Sequence, residues 1–199
     1  MNAVMKIKMT RERSAKIYNL LFKPFEKRSS FWRPRLTENL EGLVLEIGTG
    51  TGANLKYYPR NCNVVGLDLN FRYLTEAKKY KFPLLQMNAE NLAFKDKSFD
   101  YVIAPLCFCT IPDQEKAFSE VYRVLKPNGE LRMIEHMKSD SYLISVFQII
   151  LNPLNKLIFG CELTRKTINS LKKSGLNLTY EKDLWIYDVF REIRAIRKA

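Results

Sequence analysis

The segment LVLEIGTGTGANL, residues 43–55, places three glycines in five positions directly after an apolar run. The apolar run is typical of a buried strand, and the residues after the glycines suit a short helix. Glycine lets a backbone turn tightly and lets another group approach without a Cβ in the way. The free N–H groups of a helix start attract an electron-rich partner. The segment therefore predicts a strand, a loop and a helix, with a loop that either turns sharply or binds a ligand.

Strands and helices alternate along the rest of the chain. The pattern predicts strands at 43–47, 63–69, 83–87, 100–104 and 130–135, and helices at 53–58, 71–79 and 114–125. Beyond residue 139 it predicts an apolar helical region to about 159, a helix at 164–173 and strands at 176–181 and 188–196. Short alternating elements favour an α/β domain with a parallel sheet covered by helices on both faces. With 199 residues, 46% of them hydrophobic, the chain suits one domain with a substantial core.

Positive charge is concentrated at the two ends. The net charge is +12, and residues 1–35 carry ten lysines and arginines against two glutamates, while 191–199 carry four against one. Basic ends can meet the phosphates of an anionic membrane or of a nucleic acid, or they can form an ordinary solvated surface. Residues 11–28 place apolar residues at helical spacing among basic ones, which predicts an amphipathic helix.

The four cysteines are Cys62, Cys107, Cys109 and Cys161, and they form no C-x-x-C pair. This spacing predicts neither disulfides nor a metal site, as expected of a reduced, cytoplasmic protein. The most apolar stretch, 142–151, is interrupted at Asn152 and Pro153 and falls short of the roughly 20 residues that a membrane span needs. We expect a cytoplasmic chain that does not cross a membrane, with peripheral contact to an anionic membrane left open.

The spacing of the glycines distinguishes between kinds of nucleotide site. A dinucleotide fingerprint is G-x-G-x-x-G, whereas this chain has G-x-G-x-G, with Glu46 two residues before Gly48. Asp68 follows Gly48 by 20 residues, at the end of the second predicted strand. An acidic side chain at this point accepts the ribose hydroxyls of an adenosine in Rossmann-like sites.

Four motifs in order carry a resemblance to a known family: EIGTGTG, VVGLDLN, NAENLAFKDKSFDYVIA and VYRVLKPNGEL. Over about 43–135 the chain resembles class I S-adenosylmethionine-dependent methyltransferases, in the group related to the ubiquinone/menaquinone-biosynthesis C-methyltransferases. The resemblance implies S-adenosylmethionine as methyl donor. It also implies the family's Rossmann-like fold, a mostly parallel seven-stranded sheet with one antiparallel strand and helices on both faces. The expected domain has a basic helical cap at 1–38, a donor-binding core at 39–138, substrate-cap helices at 139–174 and a strand pair at 175–199.

The resemblance also implies roles for individual residues. Glu46 lies beneath the amino-acid end of the donor, Asp68 takes the ribose hydroxyls, and Leu69 packs on the adenine. Asn88 stands where the family usually carries Asp, so it keeps an acceptor oxygen but loses the charge. The donor-binding residues implied in this way are Glu46, Gly48, Thr49, Gly50, Gly52, Asp68, Leu69, Asn88, Ala89, Glu90 and Ala104.

The part of the chain after the fifth strand indicates the acceptor. EHM, FQIILNPLNKLIF and GCELTR resemble a branch with small membrane-associated thiol methyltransferases and phospholipid N-methyltransferases. This resemblance implies a small lipophilic acceptor, either a thiol or a phospholipid amine. His136 is the candidate catalytic residue, as a general base or as an orienting group, against the alternative of a structural histidine. The candidate substrate-binding residues are Tyr18, Cys109, Phe147 and Leu151.

Three other functions stay open. Methylation of a quinone precursor at a ring carbon is the nearest of them. An RNA methyltransferase is disfavoured because residues 104–107 read APLC rather than N/D-P-P-Y/F, and the length leaves no room for an RNA-binding module. The third is a non-catalytic protein that binds membrane surfaces through its basic end.

Overall fold

The computed structural model describes residues 27–199. Within this range the strands are β1 (Gly42–Ile47), β2 (Cys62–Asp68), β3 (Leu84–Gln86), β4 (Phe99–Pro105), β5 (Leu125–His136), β6 (Asn177–Trp185) and β7 (Phe190–Ile196). The α-helices of the same range are α1 (Arg33–Thr37), α2 (Phe71–Ala77), α3 (Gln114–Val124), α4 (Tyr142–Phe159) and α5 (Thr167–Lys173). The predicted helix at 11–28 and the candidate residue Tyr18 lie wholly or largely outside the described residues.

The strands form one sheet in the order β3-β2-β1-β4-β5-β7-β6. The first five strands of that order pair in parallel, and β7 runs antiparallel to both β5 and β6. The predicted α/β fold, with seven strands of which one is antiparallel, is therefore confirmed. Since a parallel sheet gathers its strand ends at one edge, the segments that follow β1, β2, β4 and β5 meet there.

Apolar side chains are buried on both faces of the sheet. On one face Phe118 and Val121 of α3 and Leu171 of α5 are fully buried in a single cluster. On the other face Leu36 of α1 and Leu55 belong to a second buried cluster, with residues of β1, β2, β4 and β5. Coverage on both faces explains why the central strands are runs of apolar residues instead of alternating patterns.

The short helix predicted at 53–58 is a single 3₁₀ turn, Leu55–Tyr57. Too few residues lie between Gly52 and Pro59 to offset the free-energy cost of nucleating an α-helix. Strand β5 begins at Leu125, earlier than predicted, because Leu125 pairs with Phe99 before a shift in register.

Helix α4 runs through Pro153 for 18 residues and ends at Phe159, as predicted for the apolar helical region. Much of its apolar surface is exposed, including Phe147 (65%) and Leu151 (51%). No helix among residues 27–199 combines the length and the apolar character that crossing a membrane requires.

Candidate active site

The predicted site residues gather at the carboxyl edge of the parallel strands. The glycine loop follows β1, Asp68 ends β2, Ala104 lies near the end of β4, and His136 ends β5. The loop is tied to the sheet because the N–H groups of Gly48 and Thr49 both donate to the carbonyl oxygen of Leu67 (2.9 and 3.0 Å). One edge of the sheet thus carries both the residues predicted to bind the methyl donor and His136, the predicted catalytic residue.

The three glycines of the loop have different surroundings. At Gly48, where φ is +72°, an added Cβ would lie 2.3 Å from the Cβ of Cys107, so internal packing already requires glycine. A Cβ at Gly52 would lie 2.7 Å from the Tyr80 ring. At Gly50, where φ is +56°, the nearest atom to an added Cβ is the Gly48 carbonyl oxygen at 4.0 Å. Gly50 is therefore the position where a ligand can lie against bare backbone.

Asp68 holds the glycine loop in place. Its Oδ2 accepts a hydrogen bond from the N–H of Gly50 (2.9 Å), and its Oδ1 accepts one from the N–H of Asn70 (2.8 Å). Each carboxylate oxygen has a second lone pair, so the side chain can still accept two hydroxyl groups. The neighbouring Leu69 is 66% exposed and offers an apolar surface to a ring bound at this point.

Glu46 is fully buried beneath the loop. Its Oε2 accepts hydrogen bonds from the hydroxyl of Tyr58 (2.5 Å) and from Nδ2 of Asn54 (2.8 Å). Its Oε1 and the Oδ1 of Asn54 are buried without a hydrogen-bond partner among the described residues. Burial raises the pKa of Glu46 despite these hydrogen bonds. A positive charge bound above the loop would favour the ionised carboxylate.

The loop after β3 carries the next predicted residues. Oδ1 of Asn88, an exposed side chain, accepts a hydrogen bond from the N–H of Glu90 (2.9 Å), and Oε1 of Glu90 accepts one from the N–H of Asp113 (2.9 Å). Ala89 between them is buried, as is Ala104 in β4. These contacts fix the backbone of the loop and leave one lone pair on the Asn88 amide oxygen.

These residues fit an adenosyl sulfonium donor. Asp68 keeps free lone pairs for ribose hydroxyls, Leu69 is an exposed apolar surface, and Gly50 opens to free space. The buried carboxylate of Glu46 suits the positive charge of a methionyl ammonium group held above the loop.

A second group of side chains lies at the ends of β4 and β5. The ligand-type atoms of Cys109, His136 and Cys161 all lie within 4.8 Å of one another, and His136 Nε2 lies 2.7 Å from Cys161 Sγ. Cys109 and His136 are buried, and Cys161 is partly buried. The fold brings together the predicted catalytic residue His136, the predicted substrate residue Cys109 and Cys161, for which no role was predicted.

The three side chains influence each other's ionisation. Interaction with the Cys109 thiol, together with His136, lowers the pKa of Cys161 to about 5. The same interaction and burial raise the pKa of Cys109 well above its ordinary value. Burial favours the neutral ring of His136, but the hydrogen bond with Cys161 and the charge of Glu135 outweigh it and raise its pKa.

Glu135 was not predicted, yet it organises this group. Its Oε2 accepts hydrogen bonds from the N–H groups of Phe108 (2.6 Å) and Cys109 (3.3 Å), and its Oε1 accepts one from the N–H of His136 (3.1 Å). One buried carboxylate therefore fixes the backbone that carries two of the three side chains. The pair Glu135–His136 is visible in the sequence, but nothing there indicates which backbone groups the carboxylate meets.

Spacing did not predict this grouping, because the cysteines show no metal-type pair along the chain. Cys161 lies 52 residues after Cys109, and only the turn after α4 brings it back to β5. The spacing along the chain therefore did not indicate that Cys109 has two ligand-type neighbours in the fold. Phe147 and Leu151 have exposed side chains on α4 instead of lying in the core.

Comparisons with known proteins agree with this geometry. A family model described as a methyltransferase domain matches residues 45–133. Human thiol S-methyltransferase TMT1A is 34% identical over 145 residues, which are 67% of this chain and 59% of the human protein. Phosphatidylethanolamine N-methyltransferase of Cereibacter sphaeroides is 34% identical over 107 residues, 50% of this chain and 53% of that protein. The chain thus spans less than two thirds of these relatives.

A solved structure of a SAM-dependent methyltransferase from Thermotoga maritima superposes with a TM-score of 0.71. It is 22% identical, and the superposition covers 96% of this chain and 99% of that one, so it establishes the fold. The matched domain, the similar relatives and the shared fold together identify the family. The chain belongs to the class I S-adenosylmethionine-dependent methyltransferases.

For this methyltransferase the family implies S-adenosylmethionine as the donor. The residues that would hold it are those of the loop after β1 and of the ends of β2 and β3. Cys109, His136 and Cys161 lie at the same edge of the sheet, near the ends of β4 and β5.

Proposed function

We propose that this methyltransferase transfers the methyl group of S-adenosylmethionine to the sulfur of a small lipophilic thiol. The observation that carries the proposal is the cluster of Cys109, His136 and Cys161 at the edge of the sheet that also carries the glycine loop and Asp68, adjoining the apolar helix α4. The relatives named thiol S-methyltransferases support a sulfur acceptor.

When bound, the donor supplies a methyl carbon that its positively charged sulfur has already activated. The chain therefore mainly has to align the acceptor, and alignment of this kind contributes roughly 7–11 kcal/mol to lowering a barrier. His136 is placed to orient an acceptor thiol or to remove its proton. Asn152 and Asn155 of α4 hold the backbone of Leu163 and Cys161, so the apolar helix borders the same place.

The exposed apolar surface of α4 supports a lipophilic acceptor. Side chains such as Phe147, Ile150 and Leu154 are more than half exposed. Together with the net charge of +12, they support peripheral contact with an anionic membrane, from which such an acceptor would be drawn. Sedimentation with phosphatidylserine vesicles tests this contact: Phe147→Glu should release the protein, whereas binding unchanged by the substitution would contradict it.

The acceptor is tested by transfer of labelled methyl to a panel of alkyl and aryl thiols, phosphatidylethanolamine vesicles, a quinol and RNA. We expect labelled thioethers, formed faster as the thiol becomes more apolar, and no label in the other acceptors. Label in phosphatidylethanolamine without thioether would instead make the protein a phospholipid N-methyltransferase, and label in the quinol or RNA would favour those alternatives. Asp68→Ala serves as the donor-binding control.

A further inference from the structure

We propose that Cys109, His136 and Cys161 bind one zinc ion and leave its fourth position open. Two thiols and one imidazole are donors that zinc prefers, whereas calcium and magnesium take oxygen ligands. Three protein ligands with one open position are typical of catalytic zinc, and four protein ligands of structural zinc. The donor set thus indicates both the metal and the kind of site.

The geometry needs only a small adjustment to accept the ion. Zinc–sulfur bonds of about 2.3 Å and zinc–nitrogen bonds of about 2.0 Å place tetrahedral ligand atoms about 3.5–3.8 Å apart. The three ligand atoms already lie within 4.8 Å of one another. His136 Nε2 and Cys161 Sγ, at 2.7 Å, must separate by about 1 Å. Cys161 lies in the turn after α4, where such a movement displaces no strand.

The backbone around the three ligands is fixed before any ion arrives. Glu135 accepts hydrogen bonds from the N–H groups of Cys109 and His136. The carbonyl oxygen of Cys109 accepts from the N–H of Glu162 (3.2 Å), and that of Cys161 accepts from Nδ2 of Asn155 (2.6 Å). These hydrogen bonds hold the backbone segments that carry the three ligand side chains.

The His136 ring is held in place by its surroundings. It packs edge-on against Phe190, and Nε2, the nitrogen that would bind the ion, lies beside Cys161. Nδ1, which is buried and has no hydrogen-bond partner among residues 27–199, would then carry the ring proton.

The occupant of the open position rests on the proposed function, whereas the metal site does not. An acceptor thiol would bind the ion through sulfur and release its proton to solvent, so that with zinc bound His136 serves as a ligand and not as the base. The sulfur lone pair would then form the bond to the methyl carbon as the carbon–sulfonium bond breaks, and the breaking bond leaves its electron pair on the donor sulfur. The products are a neutral thioether and neutral S-adenosylhomocysteine.

The test begins with the full chain purified under reduction, whose zinc content is measured by mass spectrometry before and after chelation. Zinc affinity is then measured by competition with a coloured chelator, and cobalt is substituted for zinc. We expect one metal ion per chain and the strong visible absorption of tetrahedral, thiolate-bound cobalt. Cys109→Ser and Cys161→Ser should each weaken affinity by more than about 100-fold, since each removes a direct ligand.

Cys62→Ser is the matched control, because Cys62 starts β2 and is not among the clustered ligands. S-adenosylhomocysteine binding and thermal unfolding establish that each variant is folded. Metal uptake by the wild type equal to that of the Cys109→Ser/Cys161→Ser variant overturns the proposal. That result would leave a metal-free thiol–imidazole group, or a Cys109–Cys161 disulfide if the free thiols also disappear.

The two proposals fail separately. If cobalt binds but neither its spectrum changes with added thiols nor thioether forms, the thiol acceptor is wrong and the metal site stands. If thioether forms in chelated protein and no metal binds, the thiol acceptor stands and the metal site is wrong.

Discussion

The donor side and the acceptor side of the active site are built in different ways. The donor side comes mainly from consecutive elements: the glycine loop, β2 and Asp68 lie between residues 42 and 68, and the loop after β3 is the next along the chain. The acceptor side joins Cys109, His136 and Cys161 from three separate segments, held by Glu135 and Asn155. A ligand site made from consecutive elements leaves a motif with fixed spacing, whereas one made by tertiary contact leaves none. A sequence motif therefore marks the donor side, and no motif marks the acceptor side.

The two sides meet where Gly48 packs against Cys107, two residues before Cys109. Gly48→Ala should cause the largest loss, because its Cβ would lie 2.3 Å from Cys107 Cβ on a backbone with φ of +72°. We expect more than about 4 kcal/mol of destabilisation, the range of severe core disruption, measured by urea unfolding.

Gly160→Ala is the control, since φ there is +69° and nothing lies within 4 Å of the added Cβ. It should cost about 1 kcal/mol, from backbone strain alone. Equal losses in the two variants would mean that the contact with Cys107 contributes nothing and that the two sides are not packed together.

Asp68→Asn should separate the two sides. The amide keeps one acceptor oxygen for the glycine loop but loses the charge that strengthens hydrogen bonds to ribose hydroxyls. We expect S-adenosylhomocysteine affinity to fall by roughly 1.5–3 kcal/mol in calorimetry, with zinc affinity unchanged. Asp96→Asn, at an exposed loop position, is the control. If zinc affinity falls together with S-adenosylhomocysteine affinity, the donor side and the acceptor side are not independent.

Features set by neighbouring residues could be predicted from the sequence, and contacts between distant residues could not. The order of strands and helices and the position of the glycine loop were predicted because hydrophobic periodicity and glycine spacing are local properties, whereas the seven-stranded sheet was implied by the family resemblance. The different roles of Gly48 and Gly50 were not, because Cys107 lies 59 residues away from Gly48 and meets it only in the folded sheet. The same reason applies to Cys161, which has no sequence neighbour that marks it as a ligand.

Gly50→Ala should sharpen the view of the donor side itself. Its φ is +56° and its Cβ would meet open space, so we expect about 1 kcal/mol of destabilisation, as at Gly160. The Cβ would occupy the place where the donor lies against bare backbone, so donor affinity should fall about tenfold, measured by calorimetry. If affinity is unchanged, the donor does not lie against Gly50.

The smallest expected effect lies on the acceptor side, at Asp188. Burial would raise the pKa of its carboxyl, but hydrogen bonds from the Ser139 hydroxyl and the Asp140 N–H, with the charge of Arg191, outweigh it and lower the pKa below 3.8. A lowered folded-state pKa means that the ionised form stabilises the fold. This stabilisation is fully present well above pH 3.8 and is lost as the pH falls through the folded-state pKa.

Asp188→Asn should therefore be less stable than the wild type at pH 7, and the difference should shrink as the pH falls below about 4. Urea unfolding at a series of pH values measures it. The control is Asp183→Asn, which removes a longer and more exposed contact with Arg191 (3.4 Å) and should change stability less. Because Asp188 fixes the turn between β5 and α4, zinc affinity should fall with it while S-adenosylhomocysteine affinity does not. A pH-independent difference would mean that Asp188 acts through shape and not through its charge.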